Sequence, residues 1–425
     1  MEKHQLSKST FIRGVQCLKS LYLNRKRPFL RDRLPPERLL VFRRGHQVGE
    51  LARQLFPGGI DLSPGHPSAY KKAVALTMQR IAEGQHIIYE AGFQHDGVLV
   101  FLDILVKERD GWHAYEVKSS RSVSLTYLID AALQYHVIKG SGLPLQSISI
   151  IHIDEEYVLQ DRIEPNKLFK IVDVTADSLA RQPFISGQVR KEKEVLGMAH
   201  SPEIAVGPHC RDPYECDFIG HCWKNIEVPG PLPLAEQFDM ESVRGFRQMI
   251  TGTTAFVKTL AIRSAIPIYR GTRPYQSLAF AFGILAEKSK DPVVTIAPRD
   301  ENPEARIAAE MMERIKGIDT LVCFGEEAIL RRLVPENMHI IDLRNAFGDQ
   351  SSIHSLPEGT SLLDTLLGLT GNGGLPEGSK YTSDAICAGE YLGDGPAAEL
   401  HDGLRHYLGT WIRCIGDLWN LAFRL

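Results

Sequence analysis

The chain has 425 residues, 43% apolar and 24% charged, which points to two or three folded domains and excludes a disordered or coiled-coil protein. Seven cysteines are too few for a disulfide scaffold, and no apolar run approaches the roughly 18 residues of a membrane span. The opening residues, MEKHQLSKSTFIRG, hold no apolar signal core, so a cytoplasmic protein with no membrane partner is expected.

Net charge is −3, unevenly placed: residues 1–53 hold 13 Lys/Arg against 4 Asp/Glu, a balance of +9 that leaves −12 for the other 372. Such asymmetry suits a basic arm or channel for a polyanion, with Arg25, Lys26 and Arg27 its densest point. A solvated helical surface would carry the same charge.

Residues 7–55 read as helical, broken near Pro28 and Pro35–Pro36. Residues 68–83 have helical spacing and stop at Gly84. Three strand-like runs follow: HIIYEAGF, GVLVFLDILV and WHAYEVKSS. A helix is expected over 125–139, then a buried-type strand, QSISIIHI. Residues 165–200 read as helical and polar, and 207–223 as a Cys-rich loop. VPGPLPL (228–234) is the best linker, because its Pro and Gly residues propagate neither helix nor sheet. Beyond it a second α/β pattern is expected. Its strands fall near 254–262, 278–285, 292–296, 319–324 and 338–343, and its helices near 303–316, 325–333, 361–369 and 400–422. TGNGG (370–374) lacks the pattern of a phosphate-binding loop and reads as an ordinary loop. The expected division is 1–226, a linker at 227–244, and 245–425.

The strongest chemical signal is FLDILV followed by YEVKSS. Asp110-Gly111 between the runs reads as a hairpin turn. That turn sets Asp103 opposite Lys118 and puts Asp103, Glu116 and Lys118 on one sheet face. Hard carboxylate oxygens at that spacing suit Mg²⁺ or Mn²⁺. A metal-activated water with a lysine beside it suits phosphodiester hydrolysis. On the next helix Asp130 and Gln134 share a face at i, i+4, so Gln134 is placed to support Lys118 or to touch a phosphate. An Asp inside V-L-V-F-L-D-I-L-V is costly unless paired or metal-bound, which separates this hairpin from one with surface charges.

Cys210, Cys216 and Cys222 form a C-x5-C-x5-C array, and Cys17 lies far upstream. Thiolates suit zinc or an iron–sulfur cluster, and His209 and His221 keep a mixed zinc site open. Cys323, Cys387 and Cys414 sit in apolar surroundings and read as core residues.

Asp103, Glu116-x-Lys118 and Gln134 together resemble the PD-(D/E)xK nucleases of the RecB/AddB type. RRGHQVGE resembles the first motif of that family, with Gly49 where the family has a metal-binding His, so Glu50 or His46 would substitute. One upstream cysteine with three after the core resembles the iron–sulfur branch, which includes CRISPR-associated exonucleases. The resemblance implies a restriction-endonuclease-like α/β core with a helical N-terminus. It implies metal at Asp103, Glu116 and Glu50, and catalytic roles for Asp103, Glu116, Lys118 and Gln134. It further implies a [4Fe–4S] cluster on Cys17, Cys210, Cys216 and Cys222, and cleavage of single-stranded or end-containing DNA in repair or phage defence. Other defence or repair proteins would be partners.

AFVKTLAIRSAIPIYRGTRPYQSLAF resembles a bacterial family that fuses such a nuclease to a DnaQ-like, RNase H-like exonuclease domain. Lys258 and Leu260 stand where those relatives carry metal-binding acids, and only Asp342 matches a third acidic position. Tyr407 is followed by Trp411 where an acid is expected. The resemblance thus implies a second domain without catalysis. The rival expectation for the whole chain is a non-catalytic DNA-binding or assembly subunit.

Overall fold

The computed structural model describes residues 4–226, 237–348, 362–371, 375, 379–393 and 396–424. The linker expected at 228–234 lies outside them, as does most of the 370–374 loop. The chain is α/β and divides into two compact units, Met1–Leu34 with Val41–Ile226 and Pro35–Leu40 with Glu227–Leu425.

The first unit holds a seven-stranded sheet. Its strands are β1 (Leu6–Ser7), β2 (Ile60–Asp61), β3 (Ile87–His95), β4 (Val98–Lys107), β5 (Trp112–Lys118), β6 (Leu145–Ile153) and β7 (Phe169–Asp173), in the order β2-β3-β4-β5-β6-β7 with β1 beside β4. β3, β4 and β5 form an antiparallel meander, and β6 runs parallel to β5. A parallel neighbour demands a crossover, and helix α5 (Leu125–Gly140) supplies it. Ser124 caps that helix by accepting from the Tyr127 N–H. Helices α1 (Lys8–Gln16), α2 (Leu18–Lys26) and α8 (Gln182–Gly197) pack together, with α1 and α8 also against α5. Phe11, Phe93, Leu102, Ala114, Leu133, Ile150 and Val189 are fully buried in the resulting core. Each large apolar side chain buried this way contributes about 1.5–3 kcal/mol.

Two local expectations need correction. The polar stretch 165–200 is not all helix, because Phe169–Asp173 adds an antiparallel strand beside β6. Four of its five residues are exposed, so it has no buried face to mark it. In the β4–β5 hairpin the turn residues are Arg109 and Asp110, not Asp110 and Gly111. Glu108 donates its N–H to the Gly111 carbonyl, and Leu105 pairs with Ala114. The register is displaced by two from the one expected, which keeps every side chain on its expected face.

The second unit holds β8 (Thr254–Ile262), β9 (Leu278–Ala286), β10 (Val293–Ile296), β11 (Thr320–Cys323) and β12 (His339–Asp342), in the order β10-β9-β8-β11-β12. β9 runs antiparallel to both β10 and β8, and β11 and β12 run parallel to β8. Helices Met240–Met249 and Asp384–Tyr391 were not expected from the sequence. The long helix Ala397–Arg424 buries Leu404, Leu408, Trp411, Ile415 and Leu418. Those positions recur at three- and four-residue intervals, as an apolar helix face requires. No described helix is long and apolar enough to cross a membrane.

Candidate functional site

Three carboxylates stand at one level on three adjacent strands. Glu90 falls between the pairs Tyr89↔Ile104 and Ala91↔Leu102, level with Asp103, and Asp103 is one step beyond Ile104↔Tyr115, level with Glu116. The β4–β5 ladder stops there. Asp103 Oδ2 instead accepts the Val117 N–H at 2.6 Å, so a side chain replaces a strand carbonyl. Glu90 holds φ 55°, a left-handed conformation costing roughly 1–3 kcal/mol in a non-glycine residue and concentrated at functional sites.

Glu116 is 1% exposed and fully bonded. Lys8 Nζ and Lys118 Nζ donate to its Oε1 at 2.7 and 2.6 Å, and Gln134 Nε2 donates to its Oε2 at 2.7 Å. Lys118 also donates to Asp130 Oδ2 at 2.5 Å and lies over the Tyr127 ring. Burial pushes the Glu116 carboxyl up, but Lys118 and Lys8 outweigh it and hold the group well below the usual range. Asp103 has no such partner. Burial, then repulsion from Glu116, pushes it up to about 8. Two neighbouring acids thus divide into one firmly ionised and one inclined to keep its proton. Glu90 is raised as well, by burial first. Burial lowers Lys8 and Lys118, but the carboxylates around them raise both overall.

The predicted residues Asp103, Glu116, Lys118 and Gln134 therefore meet in one centre. Glu50 is placed differently. It is half exposed and pairs with Arg53 at 3.1 Å, and Arg53 also bonds Asp61 and approaches Glu90 at 3.6 Å. Glu50 thus reaches the carboxylate row only through Arg53. Sequence reasoning missed Lys8, Glu90 and Arg53, and took Asp130 only as a neighbour of Gln134. The one available signal was the separation of Glu90 from Asp103, 13 residues apart in adjoining strand-like runs.

The donor set suits a hard divalent cation. Asp103 and Glu90 offer carboxylate oxygens beside Glu116. Asp130 Oδ1 and Gln134 Oε1 are buried acceptors with no donor among the described residues, and acceptors left so are costly. A second acidic group, Glu108, Asp110 and His113, clusters at the β4–β5 turn, where His113 already bonds Asp110 and Ser147.

Cys17, Cys210, Cys216 and Cys222 line one cavity with Ser20, Ile204, Phe218 and Ile219. The last turn of α1 grips the Cys-rich segment. Gln16 donates to the carbonyls of His209 and Tyr214 at 2.8 and 2.6 Å, and Arg13 pairs with Asp217 at 2.6 Å. Burial raises the Cys17 and Cys222 thiols, and the neighbouring cysteines raise them further. Cys323, Cys387 and Cys414 are buried in the second unit. Arg25, Lys26 and Arg27 are exposed at the end of α2.

In the second unit Lys258 is 2% exposed. Its ammonium bonds Glu326 and, at 2.8 Å, Asp384 Oδ2, and lies 4.3 Å from the centre of the Trp411 ring. Tyr407 donates to Asp384 Oδ1 at 2.9 Å. Burial pushes Glu326 up to about 7 against the pull of Lys258. Leu260 is fully buried, and Asp342 accepts the Gly325 and Arg344 N–H groups at 2.7 and 3.0 Å. Glu326 and Asp384 were not anticipated from the sequence.

No family model matches the chain, and no curated protein does. A solved structure titled "Crystal structure of SSO0001" is 14% identical over 48% of this chain and 81% of that one, with a TM-score of 0.19. A likeness that low carries no argument.

Proposed function

We propose that the protein is a metal-dependent deoxyribonuclease of the PD-(D/E)xK type, acting on single-stranded or end-containing DNA. One observation carries the reading: Glu90, Asp103 and Glu116 stand at one level beside the partly buried Lys118. Asp103 and Glu116 would hold Mg²⁺ or Mn²⁺, with Glu90 as a third acid and Glu50 behind Arg53. A divalent cation held there supplies an acidified water and counter-charge for the phosphorane. Gln134 and Lys118 fix the Glu116 carboxylate in one orientation, and Asp130 fixes Lys118. Lys118 keeps its proton, so it acts by orienting water and stabilising developing negative charge, not as a base.

Cys17, Cys210, Cys216 and Cys222 line one cavity, which supports reading them as the ligands of a [4Fe–4S] cluster. The second unit is read as an RNase H-like, DnaQ-type domain without catalysis. Its order β10-β9-β8-β11-β12 supports the fold, and an ammonium between Glu326 and Asp384 supports the loss of metal. Repair, CRISPR-linked or phage-defence processing, with partner proteins, is the setting this chemistry suits.

The second reading is a DNA-binding or assembly subunit that no longer cleaves. The Lys8–Glu116 pair favours it, because a lysine already neutralises a proposed ligand. A single-stranded DNA assay with Mn²⁺ separates the two. Activity in the parent that is lost in Glu116→Ala upholds the nuclease. Activity unaffected by Glu116→Ala sinks it.

A further inference from the structure

Residues 25–44 carry eight Lys/Arg against two Asp/Glu. Arg25, Lys26, Arg27, Arg33 and Arg43 are all exposed, and among the described residues none has an ion-pair partner. Arg31, by contrast, is tied to Asp217 at 3.0 Å. In the midst of these cations, in the single turn Pro28–Leu30, Phe29 is 79% exposed, and Phe42 further along is 58% exposed. One exposed phenylalanine needs no explanation. Here, though, the most exposed large apolar side chain in the described chain sits two residues from Arg27, in the densest unpaired positive charge. That combination, cations for a backbone and an aromatic face for bases, is how single strands are held without sequence preference.

We propose that Phe29 is a stacking platform for the bases of single-stranded DNA, with Arg25, Lys26, Arg27 and Arg33 holding the adjoining phosphates. The choice of a polyanion rests on the nuclease reading; the choice of a single strand rests on Phe29. A duplex buries both faces of its bases and offers a ring nothing to stack on, whereas a single strand or an overhang offers every base.

The test is binding of the full chain to a labelled dT 20-mer by fluorescence anisotropy, in EDTA, where no cleavage occurs. Phe29→Ala is expected to weaken binding about tenfold, a loss typical of one stacked base, with an unchanged salt slope and unchanged binding to a blunt duplex. Phe29→Trp is expected to restore affinity, with its emission quenched by the oligonucleotide. The triple change of Arg25, Lys26 and Arg27 to Ala should weaken single and double strands alike and flatten the single-strand slope by about 2. Wild-type dT binding in Phe29→Ala overturns the proposal, as does equal loss on single strand and duplex. Loss on a U 20-mer but not on dT overturns the assignment to DNA. Loss of binding to phosphatidylserine-containing vesicles with dT binding intact assigns the surface to a membrane instead. Because binding is read without cleavage, an inactive Mn²⁺ assay leaves this result standing on its own.

Discussion

Lys8 and Glu116, 108 residues apart in sequence, share an ion pair of 2.7 Å at the centre of the first unit. Lys8 opens α1, and Cys17 directly follows that helix. One nine-residue helix, about 13 Å long, thus joins the carboxylate centre to the four-cysteine cavity. If Lys8 neutralises a metal ligand, removing its charge should favour the metal. Lys8→Met should tighten Mn²⁺ binding several-fold in calorimetry, since one competing cation is gone. It should also cost roughly 1–3 kcal/mol in urea unfolding, less than a fully buried pair because Lys8 is 30% exposed. Unchanged Mn²⁺ affinity would show that the two cations do not compete.

Asp103 gives the centre a pH dependence of known sign. Its carboxyl is raised from 3.8 to about 8, so metal must displace a proton throughout the neutral range. Mn²⁺ affinity should climb about tenfold per pH unit from roughly pH 6 and level off above pH 8. Without metal, a raised acid contributes stability that is present below 3.8 and lost as pH rises through 8. Mn²⁺ should therefore raise the melting temperature more at pH 8 than at pH 6. Asp103→Asn should remove the slope; a slope that survives it belongs to another group.

Glu192 offers a similar experiment away from the carboxylate centre. It is fully buried on α8, its carboxyl fills the space that a Cβ on Gly14 of α1 would need, and Oε2 has no hydrogen-bond partner among the described residues. Gln188 donates to Oε1 at 2.9 Å. Burial pushes the acid up to about 8 from 4.5. Stability is then full below 4.5 and declines as pH rises through 8, by a few kcal/mol on an order-of-magnitude basis. Glu192→Gln keeps the shape and the Gln188 bond and should flatten the decline. A mutant that loses stability over pH 5–8 as steeply as the parent would absolve Glu192.

Much of the centre was legible because alternation along β4 and β5 decides which side chains share a face. Asp103, Glu116 and Lys118 share a face in either register, since a two-residue displacement of the turn preserves faces. Lys8 was not legible, because its position depends on how α1 docks rather than on any local pattern. Glu90 looked like an ordinary strand residue, and only its backbone conformation distinguishes it. The strand Phe169–Asp173 lies at a sheet edge and buries almost nothing, so no periodicity announced it. Lys258 stands where an acid is expected, and its partners Glu326 and Asp384 lie 68 and 126 residues away, beyond any local pattern.

Those partners make Lys258 structural. Lys258→Met strands Glu326, which is 6% exposed, and removing one member of a buried pair costs about 3–5 kcal/mol. Adding Glu326→Gln should recover much of the loss, a coupling that a double-mutant cycle in urea measures. Neither change should touch the DNA cleavage proposed for the Asp103–Glu116 centre. Additive losses would show that the pair is not an energetic unit.

Four thiols from distant parts of the chain line the cysteine cavity. A bound cluster would tie Cys17 to Cys210, Cys216 and Cys222 and close nearly the whole first unit into a loop. On a disulfide-like entropy estimate such closure stabilises by roughly 4–5 kcal/mol, a large share of a ~5–15 kcal/mol net stability. Because α1 runs from this cavity to Lys8, loosening one end should disturb the other. Replacing any of the four by Ala should therefore lower iron content, solubility and nuclease activity together. Cys323→Ala, Cys387→Ala and Cys414→Ala should keep full metal content. The measurement is iron and zinc per chain in all seven single variants, purified anaerobically. Iron that persists in Cys216→Ala, or vanishes in Cys323→Ala, would show that the wrong thiols were grouped. About one zinc per chain without iron would keep the tie and reject the cluster.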